Sequence, residues 1–422
     1  MKNSIDKNRL YEIVCTKCRK VVDENISHTF CPDCGSVLDA KFDYERLIER
    51  LNRYDLKNTK ISALKYLDFY PMGDFRNVVS LQEGGTPIYE AKKLAKKHGL
   101  KSVYLKNEGA NPTGVFKDRG TMVEIAKAKE SKAKAIILAS SGNMAASCAA
   151  YAAKADIPCY VLVPEKTPLG KMAQIQNYGA HVLLIKGEYS DCIGLVQKLA
   201  KDHNLYLAGD YVYRREGQKS IAYEIIEQLN YNVPDFIVCP VGAGTNIAGI
   251  WKGFQEYQRL KMTDKLPKIV GVQASGAAVL ADAFRKKLKN YKPWTKTDTI
   301  CSAVAVADPI DGNLALDAVR KSGGNFVDID DEDALKAQKY LASNEALFLE
   351  PSSALAVAAL RVMEKDGIAG KESTVVCVAT GNGLKDPMAS LEGLKSPKVF
   401  EREYGQISEY LGEIIKNRPK AR

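Results

Sequence analysis

Residues 236–246 read FIVCPVGAGTN, and this stretch decides the fold. An apolar run with no polar alternation suits a strand covered on both faces, the habit of parallel sheet. The glycines at 242 and 244 let an anion approach backbone N–H groups. The helix expected from near Ile247 presents its open N-terminus to the same point. Gly242-Ala243-Gly244 also begins like G-x-G-x-x-G, but Ile247 stands at the third glycine position, so the dinucleotide fingerprint is not met. Working outward, short apolar runs and helical patterns keep alternating. Strands are expected at Ser102–Lys106, Ala135–Ala139, Cys159–Val163, His181–Ile185, Phe236–Pro240, Ile269–Gln273 and Val375–Ala379. Alanine-rich helical stretches lie between them, at 144–155 and 353–365 for example. The class that follows is α/β with parallel sheet.

Three more polar turns stand beside such runs. SSGN (140–143) follows AIILA and opens an alanine-rich helix, so its hydroxyl and N–H groups face a helix N-terminus. TGNGLKDP (380–387) follows VVCVA. NPTGVFKDRG (111–120) turns at Asn-Pro and Thr-Gly, then places Lys117 beside Phe116, with a helix expected over 121–130. Taken alone, a lysine next to Asp118 and Arg119 reads as surface charge. A lysine turned toward an apolar neighbour also suits Schiff-base chemistry. Open α/β sheets build ligand sites at the C-terminal ends of their strands. A lysine, a phosphate cradle and hydroxyl-rich turns together suggest pyridoxal phosphate (PLP).

The 422-residue chain carries 61 Lys plus Arg against 51 Asp plus Glu, a formal charge of +10, with 45% hydrophobic residues. That is globular usage and excludes a wholly disordered chain. The densest basic patch, KKLAKKHGLK (92–101), has helical spacing and no aromatic interleaving, so no nucleic-acid partner is expected. No apolar run is long enough to span a membrane, and the N-terminus lacks the apolar core of a signal peptide. Six of the ten cysteines lie scattered in apolar stretches, as in a reducing cytoplasmic setting. The other four, Cys15, Cys18, Cys31 and Cys34, form C-x2-C-x12-C-x2-C, the spacing of a zinc ribbon. Four thiolates close a tetrahedral site, which makes the metal structural. Four incidental thiols or two disulfides are the other readings of the same pattern.

These stretches resemble the fold-type II PLP enzymes (tryptophan synthase beta-like) and, among them, the threonine synthases. The resemblance runs from LQEGGTPIY (81–89) to TGNGLKDP (380–387). It is carried by NEGANPTGVFKDRG (107–120), ASSGNMAASCAAYAAKA (139–155), YRREGQKSIAYEI (213–225), GVQASGAA (271–278) and LEPSSALA (349–356). Some threonine synthases also carry an N-terminal four-cysteine module.

The resemblance implies that Lys117 carries the cofactor and moves protons at the substrate Cα and Cβ, with Phe116 beside it. Asn143 would bond the cofactor's phenolic oxygen and Thr380 would face its pyridine nitrogen. Gly242, Ala243, Gly244, Thr245 and Asn246 would hold the cofactor phosphate. Ser140, Ser141 and Gly142 would take the substrate carboxylate, and Arg214 the substrate phosphate. The cysteine spacing itself marks a zinc-ribbon module over 1–40, and Leu47, Leu51, Tyr54 and Leu56 at helical spacing mark a helical linker over 41–75; the resemblance adds a two-lobed body over 76–395, its smaller lobe near 121–225. A C-terminal helix and tail would cover 396–422, and the assembly would be a homodimer. The small-molecule substrate would be an amino acid, O-phosphohomoserine, converted with water to threonine and phosphate.

Departures from the family pattern keep other readings open. Val115 stands where the family has Ser, Ala208-Gly209 where it has Asn-Ser, and Tyr211-Val212 where it has Asn-Pro. The loop 301–313 keeps only the outline of the family's sequence. One alternative is a sister β- or γ-replacement or elimination, such as cysteate synthase acting on O-phosphoserine. Another is a zinc-ribbon binding protein with an inactive body.

Overall fold

All the strands expected from apolar runs form in the computed structural model, which describes residues 10–23, 30–51, 59–167, 169–209, 211–391 and 396–416. They sort into two sheets. The larger has six strands in the order Asn325–Ile329, Lys268–Ala274, Phe236–Pro240, Thr374–Ala379, Ser102–Asn107, Ile88–Glu90. Every pairing in it is parallel except that of the edge strand Ile88–Glu90. The smaller sheet is wholly parallel, with four strands in the order His181–Ile185, Cys159–Pro164, Ile136–Ala139, Tyr206–Leu207. Phe236–Pro240 lies near the centre of the larger sheet and is buried along its whole length. Its unbroken apolar run is what a strand with helices on both faces requires.

The alanine-rich stretches become helices Asn143–Lys154 and Pro351–Lys365, the second opened by Pro351 in the first turn, where its missing N–H costs nothing. The helix after the lysine differs from expectation. It runs Lys117–Glu130, so Lys117 is its first residue rather than part of the preceding turn. The Asp118 side chain explains the early start. It folds back to accept from the Thr113 N–H at 2.7 Å and the Thr113 hydroxyl at 2.6 Å, which closes the turn directly onto the helix. The helix Val212–Gln218 crosses Lys117–Glu130 at close range. A Cβ on Gly217 would lie 2.1 Å from the Arg119 carbonyl oxygen and 2.7 Å from the Gly120 Cα.

The four cysteines lie at the end of a three-stranded antiparallel sheet in the order Val21–Val22, Tyr11–Cys15, Leu38–Phe42, Cys15 in its central strand and the other three in the turns beside it. Its small core of Tyr11, Ile13, Leu38, Ala40 and Phe42 packs against Val212 of the body. Buried charge reinforces this seam. The Arg215 guanidinium donates to the Leu38 carbonyl and grips Asp311 at 2.8 and 2.9 Å. Lys252 donates to Asp39 at 2.9 Å. The following helix, Tyr44–Leu51, buries Leu47 and Leu51. Tyr54 and Leu56, counted on the same face from sequence, lie outside the described residues. The C-terminal helix Tyr404–Lys416 buries none of its residues.

A candidate active site between the two sheets

The C-terminal ends of Ser102–Asn107, Ile136–Ala139, Phe236–Pro240 and Thr374–Ala379 all lead toward one cavity of about 790 Å³. Two sheets therefore deliver their turns to a single cleft, the place where open α/β folds bind ligands. Its walls include Phe116, Lys117, Ser140, Ser141, Gly142, Asn143, residues 242–246 and Thr380. Of the residues singled out for PLP and substrate, Arg214 alone is not in that wall.

Lys117 enters the cavity from the first turn of its helix, with Nζ 5.3 Å from the centre of the Phe116 ring. The lysine loop is tied to the Thr380 turn. The Phe116 N–H donates to the Thr380 carbonyl at 3.0 Å, and Val115 pairs with Gly381 in an isolated bridge. Val115 itself is fully buried, so its methyl groups fill space where a hydroxyl would need a partner. The Thr380 hydroxyl lies 2.6 Å from that of Ser353.

The glycine loop has the form of an anion cradle. Gly244 adopts φ +89°, and a Cβ there would lie 2.8 Å from the Asp311 backbone. Asp311 in turn donates its N–H to the Ala243 carbonyl at 2.9 Å. Helix Thr245–Arg259 begins at once, so its free N–H groups point into the cleft. Thr245 Oγ1 and Asn246 Oδ1 are buried with no protein hydrogen-bond partner. Buried polar atoms are rarely left so. An acceptor-rich phosphate would satisfy the hydroxyl, and the chemistry of the loop therefore fits the PLP phosphate.

Asn143, at the start of helix Asn143–Lys154, donates to Glu350 Oε2 at 3.0 Å. Burial pushes the Glu350 carboxyl up from its ordinary range, which favours its neutral form. Glu350 and Lys385 both line the cavity, and neither was singled out from sequence. Both lay inside quoted motifs. Their use depends on contacts far along the chain, such as the Lys385 ammonium donating to the Gln174 side-chain carbonyl.

Arg214 is fully buried behind the cavity wall, its Nη1 3.5 Å from the Lys117 carbonyl oxygen. Its guanidinium donates to the Gly209 carbonyl and the Thr121 hydroxyl, each at 2.9 Å, and forms an ion pair with Glu124. The Cys148 sulfur is a further neighbour at 3.2 Å. Breaking a buried pair of this kind to release one partner costs about 3–5 kcal/mol, so the structure holds this cation out of the cleft.

The thiols of Cys15, Cys18, Cys31 and Cys34 lie within 4.8 Å of one another. Cys15 Sγ is 3.4 Å from Cys34 Sγ and Cys18 Sγ is 3.6 Å from Cys31 Sγ, and all four are unbridged. Sulfurs at about 2.3 Å around a tetrahedral Zn²⁺ sit roughly 3.8 Å apart, so the cluster fits that ion. All four thiols converge on one point, as a tetrahedral metal site requires.

The pattern of the pyridoxal-phosphate dependent enzymes matches residues 79–381. The chain is 42% identical over 403 residues to the threonine synthase of Methanocaldococcus jannaschii, a match covering 95% of this chain and 99% of that protein. It is 40% identical over 402 residues to the threonine synthase of Methanosarcina acetivorans, covering 95% and 98%. To the threonine synthase of Mycobacterium tuberculosis it is 41% identical over 350 residues, covering 82% and 94%. Among solved structures, maize serine racemase superposes with a TM-score of 0.63 at 18% identity, covering 88% of this chain and 97% of that one. The processed threonine deaminase isoform 2 of Solanum lycopersicum does so with 0.63 at 19%, covering 88% of each. The fold is thus that of the fold-type II PLP enzymes.

Proposed function

The chain belongs to the pyridoxal-phosphate-dependent enzymes and, within them, to the threonine synthase family, and from that premise we propose that it converts O-phosphohomoserine and water to threonine and phosphate, a step of threonine biosynthesis. The observation that carries this reading is the meeting of Lys117, the glycine loop 242–246 and the Thr380 hydroxyl in one cavity. When bound, PLP supplies an electron sink for negative charge developing at the substrate Cα.

The chain's own residues do the rest. Residues 242–246 hold the cofactor phosphate through backbone N–H groups and the Thr245 hydroxyl. Asn143 offers its amide to the phenolic oxygen. Thr380 would face the pyridine nitrogen with a hydroxyl rather than a carboxylate, and a hydroxyl there would not hold a proton on that nitrogen. Ser140, Ser141 and Gly142, at the N-terminus of helix Asn143–Lys154, receive the substrate carboxylate. Lys117 takes the Cα proton, gives it up to solvent, and as a free amine again takes the Cβ proton, which lets phosphate leave from Cγ. Protons return at Cγ and, after water has added at Cβ, at Cα.

A phosphate-release assay with O-phosphohomoserine, O-phosphoserine and, through acetate release, O-acetylserine tests the substrate. Turnover of O-phosphohomoserine with kcat/KM at least tenfold above the others is expected. Turnover of another member alone would reject this substrate and favour the sister replacement reaction.

We also read the four thiols as a structural zinc site. A module of this size has too little core to hold its fold without a staple, and four thiolates leave no position for water. Cys15→Ser with Cys18→Ser is expected to abolish zinc binding and to lower the thermal transition by several degrees. Cofactor loading at low temperature should be unchanged, and metal analysis beside a thermal scan checks both. A homodimer in the cytoplasm completes the reading. Exposed Leu384, Met388 and Leu391 support the first, and the thiols of Cys148, Cys159, Cys192, Cys239, Cys301 and Cys377, buried as small apolar side chains, support the second.

A further inference from the structure

A substrate and a cofactor that both carry phosphate need two anion receptors. The glycine loop is one. Arg214 is committed to Glu124, Thr121 and the Gly209 carbonyl outside the cavity. Among the described residues, the cations in the cavity wall are Lys117 and Lys385. Lys117 is the proton-moving amine, so one cation is left for a second dianion.

We propose that Lys385 receives the phosphate leaving group of the substrate. Its stem lies along the lysine loop, where a Cβ on Gly114 would meet Lys385 Cδ at 3.4 Å. Its ammonium is held by the Gln174 side-chain carbonyl, on helix Leu169–Asn177. The neighbouring acids leave that charge available. Glu350 is pushed toward its neutral form by burial. The Asp118 carboxylate accepts from Thr113 and from the Ser147 hydroxyl at 2.6 Å. Asp386 accepts from Ser302 at 2.7 Å. Burial lowers the Lys385 pKa, and a dianion beside it would reverse that, so the ammonium is most stable when phosphate is present. A point-charge ammonium on a flexible stem can also follow the phosphate as it departs from Cγ.

The proposal rests on the reading that the substrate is phosphorylated, and its test separates the two. Inorganic phosphate is titrated against PLP-loaded wild type, Lys385→Met, Lys385→Arg and Arg214→Met, followed by calorimetry and by competition with O-phosphohomoserine. Removing a charge-assisted contact should weaken phosphate binding and raise KM by about tenfold to a hundredfold in Lys385→Met. The visible cofactor band should stay, and Lys385→Arg should restore most of the loss. Arg214→Met should change thermal stability without a selective loss on phosphate. Lys385→Gln serves if the Met variant does not load PLP. Unchanged phosphate affinity in the Lys385 variants, a selective loss in Arg214→Met, or no binding of phosphate by wild type would each overturn the proposal. Lys385-dependent phosphate binding without turnover of O-phosphohomoserine would uphold it and reject the substrate.

Discussion

Lys117→Ala is expected to lose turnover by roughly 10⁴-fold or more, at or beyond the upper end of what a positioned acid–base group contributes, and to lose the visible absorption band of the PLP-loaded protein. The reason is local. Lys117 is the first residue of its helix and stands in the cavity wall, while the two residues that follow it, Asp118 and Arg119, turn away. Asp118 is buried against Thr113 and Ser147, and Arg119 is buried against Glu108 and Glu224. Truncating the lysine therefore leaves the anchors of the helix in place, and stability should move by about 0.5 kcal/mol or less, as for a substitution outside the core. Lys117→Arg keeps the charge but not a transferable amine and should be equally inactive. Absorbance, turnover and a urea titration on the same preparations check all three points. A folded Lys117→Ala protein with substantial turnover would remove the lysine from its assigned role.

What could be read from sequence follows from how much of each signal is local. Phe236–Pro240 was legible because both its faces are buried, so its pattern is uninterrupted. Asn325–Ile329 was not, because an edge strand mixes buried Phe326, Val327 and Ile329 with half-buried Asn325 and Asp328. Tyr206–Leu207 is only two residues long and is defined by its neighbour Ile136–Ala139 rather than by its own composition. The turns at Ser140, Gly242 and Thr380 announced themselves through Gly, Asn and hydroxyl residues that suit helix starts. Arg214 lies outside the cavity wall for a physical reason. Its partner Glu124 lies ninety residues away in sequence, and nothing local says whether a guanidinium faces a cleft or a buried carboxylate. Lys385 and Glu350 were passed over for the same cause, since their roles arise from Gln174 and Asn143 on other helices. The charges flanking Lys117 read as surface and are fully buried.

Those buried charges set the second large effect. Arg119 lies between two carboxylates, donating to Glu108 at 2.6 and 2.8 Å and to Glu224 at 2.6 and 2.8 Å. It also reaches Ser220 and Thr86, each at 3.1 Å. Lys106 donates to Glu224 at 2.6 Å, and the Gly85 N–H does so at 2.8 Å. The cluster thus joins the end of strand Ser102–Asn107, the turn at 83–86, the lysine helix and helix Ser220–Gln228. In Arg119→Met, two carboxylates would share one ammonium with no water to replace the guanidinium. A loss of about 3–5 kcal/mol is expected, enough to leave a marginally stable body partly unfolded. Adding Glu224→Gln should recover part of it, because the remaining Lys106 and Glu108 balance in charge. Acid titration identifies the cause. Burial opposes the Glu224 charge, but Arg119 and then Lys106 outweigh it and hold the carboxyl at about 2. A carboxyl depressed below its unfolded value of about 4.3 stabilises the fold above that value and loses the effect as pH falls toward 2. Without Arg119 the carboxyl rises, so the gap in urea midpoint between wild type and Arg119→Met should narrow steadily below about pH 4.3. A gap that stays constant across that window would mean that lost packing, not lost charge pairing, destabilises the variant.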